Sequence, residues 1–165
     1  CHLKLFFHNQ WNRSNDRFSY GLDIEGLWLL HESALVLGEE ESLAKVESRL
    51  PSVVAAASEG FTPEGGMIYE KMGDHIDGDR HWWVQAEAAV GYFNLWEHFG
   101  AHEGLENALH CWEYIKKELV DDKNGEWFWS VRADGSINRV EDKAGFWKCP
   151  YHNGRMCLEI IERVK

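Results

Sequence analysis

The sequence predicts an all-α fold, a partial ring of helical hairpins (an α-toroid) that is interrupted by short β-hairpin excursions. Apolar residues recur at helical spacing over several segments of the 165-residue chain. Short turns marked by glycine alternate with long, turn-rich connections, as expected when paired helices form a ring with the long loops at one end. No long apolar strand alternates with the helices, which disfavours a parallel α/β sheet.

The first two helices are predicted over residues 23–37 and from residue 39 to about 58. The first has apolar residues at helical spacing, acidic residues in its opening turn and Gly38 at its end. Pro51 should kink or break the second helix. The segment that follows is rich in turn residues and contains "GGMIYEKM", a candidate short strand.

Three further helices are predicted over residues 82–99, from residue 101 to about 120, and from Pro150 to the end of the chain. Gly100 ends the third helix and "DDKNG" ends the fourth. Between them and the last helix, "GEWFWSVRADGSINRV" is typical of a β-hairpin, with two short runs around "ADGS". A chain of this length is sufficient for one domain and too short for two.

The composition excludes several classes of partner. The formal net charge is -11, from 17 Lys and Arg against 28 Asp and Glu, and such a chain repels the phosphates of nucleic acids. No apolar run approaches the roughly 20 residues that cross a bilayer, so no membrane segment is expected. Four cysteines without a C-x-x-C pair predict reduced, mostly buried thiols in a cytoplasmic protein. A neutral small molecule or another protein is the expected partner.

Nine tryptophans, an unusually high number, suggest a cleft lined by aromatic side chains. Most of them lie in "DRHWWVQAE", "GEWFWSV" and "AGFWKCP". A buried indole needs a partner for its N–H, so such clusters often line a cleft and stack on planar or sugar-like faces.

Two pairs of an acid and an indole could hold a sugar in that cleft. Trp83 and Glu87 are four residues apart and therefore share one helix face, and Glu25 and Trp28 repeat the pairing at a spacing of three. Asp23 stands just before the second pair. Acids are also common in the first turn of any helix, so capping acids beside core tryptophans are an equally simple interpretation.

Histidines provide the other candidates for chemistry. His152 follows Pro150 in the first turn of the last helix, where the positive helix end favours a neutral imidazole that can act as a base. A surface histidine near a helix cap is the alternative. The segment "DHIDGDRH" has neither a calcium-loop nor a two-histidine zinc spacing, so a charged turn is expected there and no metal site. His98 and His102 flank Gly100 and should not form one ligating face.

Taken together, "DIEGLW", "DRHWWVQAEAAVGYFNL", "GEWFWSV" and "KAGFWKCPYHNGRMCLEI" resemble the N-acylglucosamine 2-epimerase family, and its cellobiose 2-epimerases most of all. The motifs stand in family order and at family spacing over nearly the whole chain. The resemblance implies an (α/α)6 barrel, of which residues 1–165 would be the C-terminal part of a single catalytic domain, with the N-terminal part absent.

The resemblance also implies an activity and a set of roles. The expected reaction epimerises C2 of the reducing-end glucose of a β-1,4-disaccharide, cellobiose, to mannose through an enediolate, without a metal or nucleotide cofactor. Two histidines on opposite faces move the proton in this family. One matches His152, whereas the other belongs in "GHDIE", where this chain has Leu22. The resemblance makes Glu87 a polar partner at the reacting end of the sugar. It makes Trp82 and Trp83 the walls that stack on the sugar. Further substrate contacts are expected from Asp23, Glu25 and Trp28.

Because leucine carries no proton, the resemblance predicts an enzyme that has lost about 10²–10⁴-fold in rate. A non-catalytic carbohydrate-binding remnant and an aldose–ketose isomerase, which needs only one base, are alternatives. A glycosidase is least favoured because it requires two carboxylates flanking one bond. A partial ring should also leave apolar faces open in "LWLLHESALVL" and "VVAAA", so we expect self-association or pairing with the absent N-terminal part.

Overall fold

The computed structural model describes all residues from 1 to 165, and α-helices dominate it. The helices are α1 (Tyr20–Leu37), α2 (Glu40–Glu47), α3 (Leu50–Ser58), α4 (Trp82–Phe99), α5 (His102–Tyr114) and α6 (Tyr151–Arg163), and a π-helical turn at Ile115–Leu119 continues α5. This helix-rich architecture with few short strands is the one that the sequence predicts. None of the helices combines the length and the hydrophobicity that crossing a membrane requires.

Short strands tie together the long connections. An antiparallel sheet has the order β1 (Arg17–Ser19), β2 (Glu70–Met72) and β3 (His75–Asp77). A second pair joins β4 (Arg80–His81) to β5 (Ser130–Val131) in antiparallel register. Because β1 leads directly into α1 and β4 leads directly into α4, the two pairings hold the N-terminal ends of these helices in place.

Two predicted helix boundaries are corrected by the structure. Helix α1 begins at Tyr20, three residues before the predicted start, because Ser19 is its N-cap and accepts a hydrogen bond from the backbone N–H of Leu22 at 3.4 Å. The second predicted helix is divided into α2 and α3. The division precedes Pro51, which occupies the first turn of α3, where a proline displaces no helical hydrogen bond.

The predicted β-hairpin forms only in part. Its first arm contributes β5, but β5 pairs with β4 rather than with the returning arm, which has a single isolated bridge between Val131 and Ile137. The "ADGS" turn is present, closed by a hydrogen bond from Arg132 N–H to the Ser136 carbonyl at 2.7 Å. The strand predicted in "GGMIYEKM" is limited to β2, and its partner β1 was not predicted.

Helix α4 is the centre of the core and packs against α1, α5 and α6. It is buried almost all around over its first 14 residues, from Trp82 to Leu95. Two glycines let α1 and α4 approach closely. A Cβ on Gly21 would lie 2.7 Å from Val84 Cγ2, and one on Gly91 would lie 2.6 Å from Ile24 Cγ1. The N-terminal halves of α1 and α4 are therefore in direct contact, which brings their second turns together.

The cysteines are all free, but the expectation that most are buried is wrong. Only Cys111, on the inner side of α5, is buried, and burial raises the pKa of its thiol well above the usual range. Cys1, Cys149 and Cys157 are exposed. The positions of single cysteines in the sequence carry little information about their burial, because the burial of each thiol depends on which face of its helix packs against the core.

The predicted open apolar faces are present in parts of both segments. In the C-terminal part of α1, Val36 and Leu37 are 87% and 64% exposed. In "VVAAA", Ala55 is exposed, whereas Ala56 and Ala57 are buried because α3 packs on α1. A further apolar groove of about 500 Å³ lies between α4, α5 and α6 and includes Trp112.

These open faces lead to a prediction about the chain in solution. Burying apolar surface contributes about 25 cal/mol per Å², so faces of this extent should drive association. We expect light scattering to give an average mass that rises with concentration. A constant monomer mass at high concentration would rule this out.

Candidate active site

Three helix starts converge on one polar cluster. Glu25 lies in the second turn of α1, Glu87 in the second turn of α4, and His152 in the first turn of α6. His152 Nδ1 is 2.7 Å from Glu87 Oε1 and 4.0 Å from Glu25 Oε1. Residues far apart in sequence are thus brought into hydrogen-bonding range by the packing of α1 and α6 against α4.

Arg155 completes this cluster, although it is not among the site residues that the sequence predicts. Its Nη2 donates to Glu25 Oε1 at 2.7 Å and to Glu87 Oε1 at 2.6 Å. The available signal was its position three residues after His152, which places both side chains on one face of α6. The guanidinium joins the two carboxylates and offsets part of their mutual repulsion.

Glu87 is fixed by contacts to both of its carboxylate oxygens. Oε1 faces His152 and Arg155, and Oε2 accepts a hydrogen bond from Trp28 Nε1 at 3.0 Å. The side chain is only 1% exposed. A buried carboxylate held in this way orients the imidazole. Because a carboxylate can only accept a hydrogen bond, Nδ1 of His152 carries the proton that it donates to Glu87. Nε2 then keeps a free lone pair and can act as a base.

The electrostatics of Glu25 differ from those of an ordinary surface acid. Burial, followed by the negative charge of Glu87, raises the pKa of Glu25, and the contacts to Arg155 and His152 oppose the shift. The raised pKa brings the protonated form of Glu25 closer to neutral pH than that of an ordinary surface acid. The Arg155 guanidinium thus lies between the two carboxylates, next to His152.

A cavity of about 320 Å³ opens beside this cluster. Two members of the cluster, several aromatic side chains and one leucine line the cavity. The lining residues are Leu22, Glu25, Tyr69, His81, Trp82, Trp83, Trp129, Trp147 and His152. The rings of Trp83 and His152 have centroids 5.6 Å apart. This geometry places the aromatic ring of Trp83 next to the imidazole of His152 at the cavity wall.

The tryptophan walls differ in exposure. Trp82, predicted as a wall, lines the cavity but is 3% exposed and packs against Trp129 with ring centroids 4.6 Å apart. Trp83 is more accessible, and Trp147 is 78% exposed. The sequence shows Trp129 and Trp147 only as parts of tryptophan-rich stretches and does not predict that they line the cavity. Their place in the cavity depends on β5 and on the loop before α6, which the spacing of residues does not fix.

His81 and Tyr69 also line the cavity without having been predicted. Their rings are stacked, with centroids 4.1 Å apart and an interplanar angle of 4°. Burial lowers the pKa of His81, although Asp77 and Asp79 oppose the shift, so this histidine is neutral near pH 7.

Asp23 and Trp28, predicted as substrate contacts, do not line the cavity. Asp23 is fully buried, where its carboxylate accepts from the backbone N–H of Leu3 and pairs with His2 Nδ1, each at 2.7 Å. Trp28 is 2% exposed and uses its only polar atom on Glu87. Their helix positions suggested the cleft, but each points to the protein interior, so we assign them supporting roles.

A buried lysine anchors the loop that carries His152. Lys148 Nζ donates to Glu126 Oε1 at 2.8 Å and to the Lys143 carbonyl at 2.7 Å. Asn153 Nδ2 donates to the same Glu126 oxygen at 2.9 Å. Burial alone would raise the pKa of Glu126, but the hydrogen bond from Lys148 lowers it overall, which keeps the acid ionised. The start of α6 is thereby tied to the connection that leads to β5.

Comparison with known proteins agrees with this architecture. The family model described as N-acylglucosamine 2-epimerase (GlcNAc 2-epimerase) matches residues 2–154. The chain belongs to this family. A cellobiose 2-epimerase from Bacteroides fragilis is 59% identical over 162 residues, covering 97% of the chain and 41% of that protein. A cellobiose 2-epimerase from Ruminococcus albus is 40% identical, with 98% and 42% covered.

Solved structures show the same relationship. The crystal structure of a sugar epimerase from a ruminal bacterium superposes with a TM-score of 0.93 at 38% identity, covering 98% of this chain and 42% of that one. The chain therefore spans about two-fifths of the length of the epimerases that it matches. Its similarity to epimerases, which are isomerases, extends over almost all of its own residues.

The buried cluster makes a prediction about stability. Removing the carboxylate in Glu87→Ala takes away one of the two carboxylate partners of Arg155 and leaves the buried Trp28 N–H without its partner, so we expect the free energy of unfolding to fall by about 3–5 kcal/mol. Denaturant unfolding followed by circular dichroism measures this change. The matched control, Glu106→Ala on the exposed side of α5, should change stability by no more than about 0.5 kcal/mol. Equal effects of the two variants would show that Glu87 is not the centre of the cluster.

Proposed function

We propose that residues 1–165 form the C-terminal part of a single (α/α)6-barrel catalytic domain of a sugar 2-epimerase. Two observations support this. The long connections before α1, α4 and α6 meet at one end of the helices, as in a ring of hairpins, and the matching epimerases are more than twice as long as this chain. The substrate that we propose is cellobiose, because relatives at 59% and 40% identity carry that name.

The hydrogen bond between His152 Nδ1 and Glu87 Oε1 at 2.7 Å, at the wall of an aromatic cavity, is the observation that carries the proposal. It leaves Nε2 as a base. In the open-chain sugar, Nε2 takes the proton from C2, and the C–H electron pair moves into the C1 carbonyl to give an enediolate. Returning a proton to the opposite face of C2 converts glucose to mannose.

Glu25 and the aromatic walls complete the proposed site. In its protonated form Glu25 can donate a hydrogen bond to an oxygen of the enediolate, where negative charge develops. Arg155 holds Glu25 and Glu87 in position and is a positioning residue. Trp82 and Trp83 supply the apolar face for the sugar ring. The proposed reaction uses neither a metal nor a nucleotide.

We further propose that Leu22 impairs this reaction. Its side chain lines the same cavity, at the position where the family places its second histidine. Leucine cannot return a proton to C2, so one-face proton exchange persists while two-face epimerisation slows by about 10²–10⁴-fold. If the chemistry is lost altogether, the site is a carbohydrate-binding remnant.

An aldose–ketose isomerase is the second candidate. It is favoured by Leu22, because isomerisation can use one base that moves a proton between C2 and C1 on the same face. A glycosidase is disfavoured by Glu87, whose oxygens are both occupied by Trp28, Arg155 and His152 in a side chain that is 1% exposed.

Product analysis tests the proposal. The chain is incubated with cellobiose, and the sugars are separated and identified by NMR. We expect at most traces of the C2 epimer and no ketose. A ketose as the main product would establish the isomerase instead, and hydrolysis to glucose would contradict both.

A further inference from the structure

A second polar cluster lies at the opposite end of α1 and α4 from the cavity. It contains His31 and Glu32 of α1 and His98 of α4. Seven residues separate Glu25 from Glu32, which corresponds to about 10 Å along a helix at about 1.5 Å per residue. We propose that this cluster is a structural site for a divalent transition-metal cation, with Zn²⁺ the best match to its ligands.

The spacing of the donor atoms suits a small tetrahedral cation. Ligand atoms of His31, Glu32 and His98 all lie within 4.8 Å of one another. His98 Nε2 is 3.4 Å from Glu32 Oε1 and 3.5 Å from Glu97 Oε2. Tetrahedral Zn²⁺ with bonds of about 2.0–2.2 Å has ligand-to-ligand edges of roughly 3.3–3.6 Å. Two imidazoles with one or two carboxylates form a donor set that zinc prefers.

The ring nitrogens of the buried His31 imidazole are free to bind a ligand. The side chain is 1% exposed, its Nδ1 has no hydrogen-bond partner, and the carboxylate nearest its Nε2, that of Glu47, is 3.8 Å away. A buried polar group without a hydrogen bond costs about 1–3 kcal/mol.

The surrounding charge also favours a cation. The carboxylates of Glu47, Glu97 and Glu159 lie around the cluster with Glu32, and Arg163 is the one guanidinium paired with them. The cluster lies near the C-terminal ends of α1 and α4, where the carbonyl ends of the helices attract positive charge.

Arg163 and Asn94 occupy one carboxylate oxygen of Glu32 and leave the other, Oε2, for a cation. Arg163 Nη2 donates to Glu32 Oε1 at 2.9 Å, and Asn94 Nδ2 donates to the same oxygen at 2.9 Å. Carboxylates that bind metals are commonly held by such outer hydrogen bonds. Asn94 Oδ1 is buried without a partner and Asn94 lies beside His31, so it can accept from the ring nitrogen that does not bind the metal.

A bound cation would connect α1 directly to α4, and through Arg163 to α6. The same three helices carry the candidate active site at their other ends. The cation therefore acts on stability, and this inference stands independently of the proposed reaction.

Zn²⁺ alone is the probe for the test. Isothermal titration calorimetry of the chelator-treated chain should show one site, and Zn²⁺ should raise the thermal unfolding midpoint. His98→Gln, at a side chain 30% exposed, should weaken the dissociation constant at least tenfold and abolish the thermal shift. His31→Gln should do the same, with circular dichroism reporting whether this buried variant folds.

Two controls define the outcomes. His110→Gln, on the exposed side of α5, should bind Zn²⁺ as the unaltered chain does. His152→Gln should also keep the affinity, because it alters the other cluster. No Zn²⁺ binding by the unaltered chain, unchanged affinity in folded His98→Gln, or a loss confined to His152→Gln would each overturn the proposal.

Discussion

Replacing Leu22 by histidine is expected to raise the rate of C2 epimerisation of cellobiose by about 10²–10⁴-fold. Leu22 lines the cavity that His152 and Glu25 also line, so an imidazole at this position enters the same space. With His152 as the base on one face, a second histidine can return a proton on the other. The measurement is the rate at which the mannose-ended product appears, followed by NMR.

A glutamine at the same position is the matched control. Leu22→Gln introduces a polar side chain of similar size that has no group able to act as an acid or a base near neutral pH, so it should leave the rate at the level of the unaltered chain. Backbone effects should be small in both variants, because the N–H of residue 22 still donates to the Ser19 cap. If glutamine and histidine give the same rate, proton transfer at this position is not what limits the reaction.

The second large effect is expected from His152→Gln. Removing the base should reduce exchange of the C2 proton with solvent by about 10²–10⁴-fold. The glutamine amide can still donate to Glu87, so the cluster of Glu25, Glu87 and Arg155 should persist. Sugar binding, measured by the change in tryptophan fluorescence, should therefore remain within a few-fold.

His102→Gln provides the comparison for this variant. His102 is exposed at the start of α5 and faces no part of the cavity, so its replacement should leave exchange unchanged. Full exchange in His152→Gln would assign the base to another group that lines the cavity, and His81 would be the first to examine.

Local sequence signals predicted the helices well because their causes are local. Helix α4 begins and ends where expected, and Gly38 and Gly100 end their helices in left-handed conformations with φ of 68° and 63°. The start of α1 was misplaced because Ser19 caps it from within strand β1. That strand forms only by pairing with β2, some 50 residues further along the chain.

The site was predictable as a set of residues but not as a geometry. His152, Glu87 and Glu25 stood out because each lies near a helix start, and the structure brings all three together. Arg155 was missed because an arginine in a helix is usually a surface residue. Asp23 and Trp28 do not line the cavity, and the sequence could not show this, since helical spacing gives the face of a residue but not whether that face points to a cavity or to the core.

The cluster of His31, Glu32 and His98 shows the same limit. The sequence places His98 closest to His102, and Gly100 between them predicts that the two do not form one ligating face. The actual neighbour of His98 is His31, with ring centroids 4.8 Å apart, on a different helix. Only the packing of α1 on α4 reveals this contact.

The most direct test of the proposed chemistry is proton NMR of cellobiose incubated with the unaltered chain in D2O. We expect deuterium to enter at C2 of the reducing-end glucose while no mannose-ended product accumulates, because His152 works on one face and Leu22 cannot serve the other. Rapid formation of the mannose-ended sugar would contradict the role given to Leu22. Retention of the C2 proton would contradict the role given to His152.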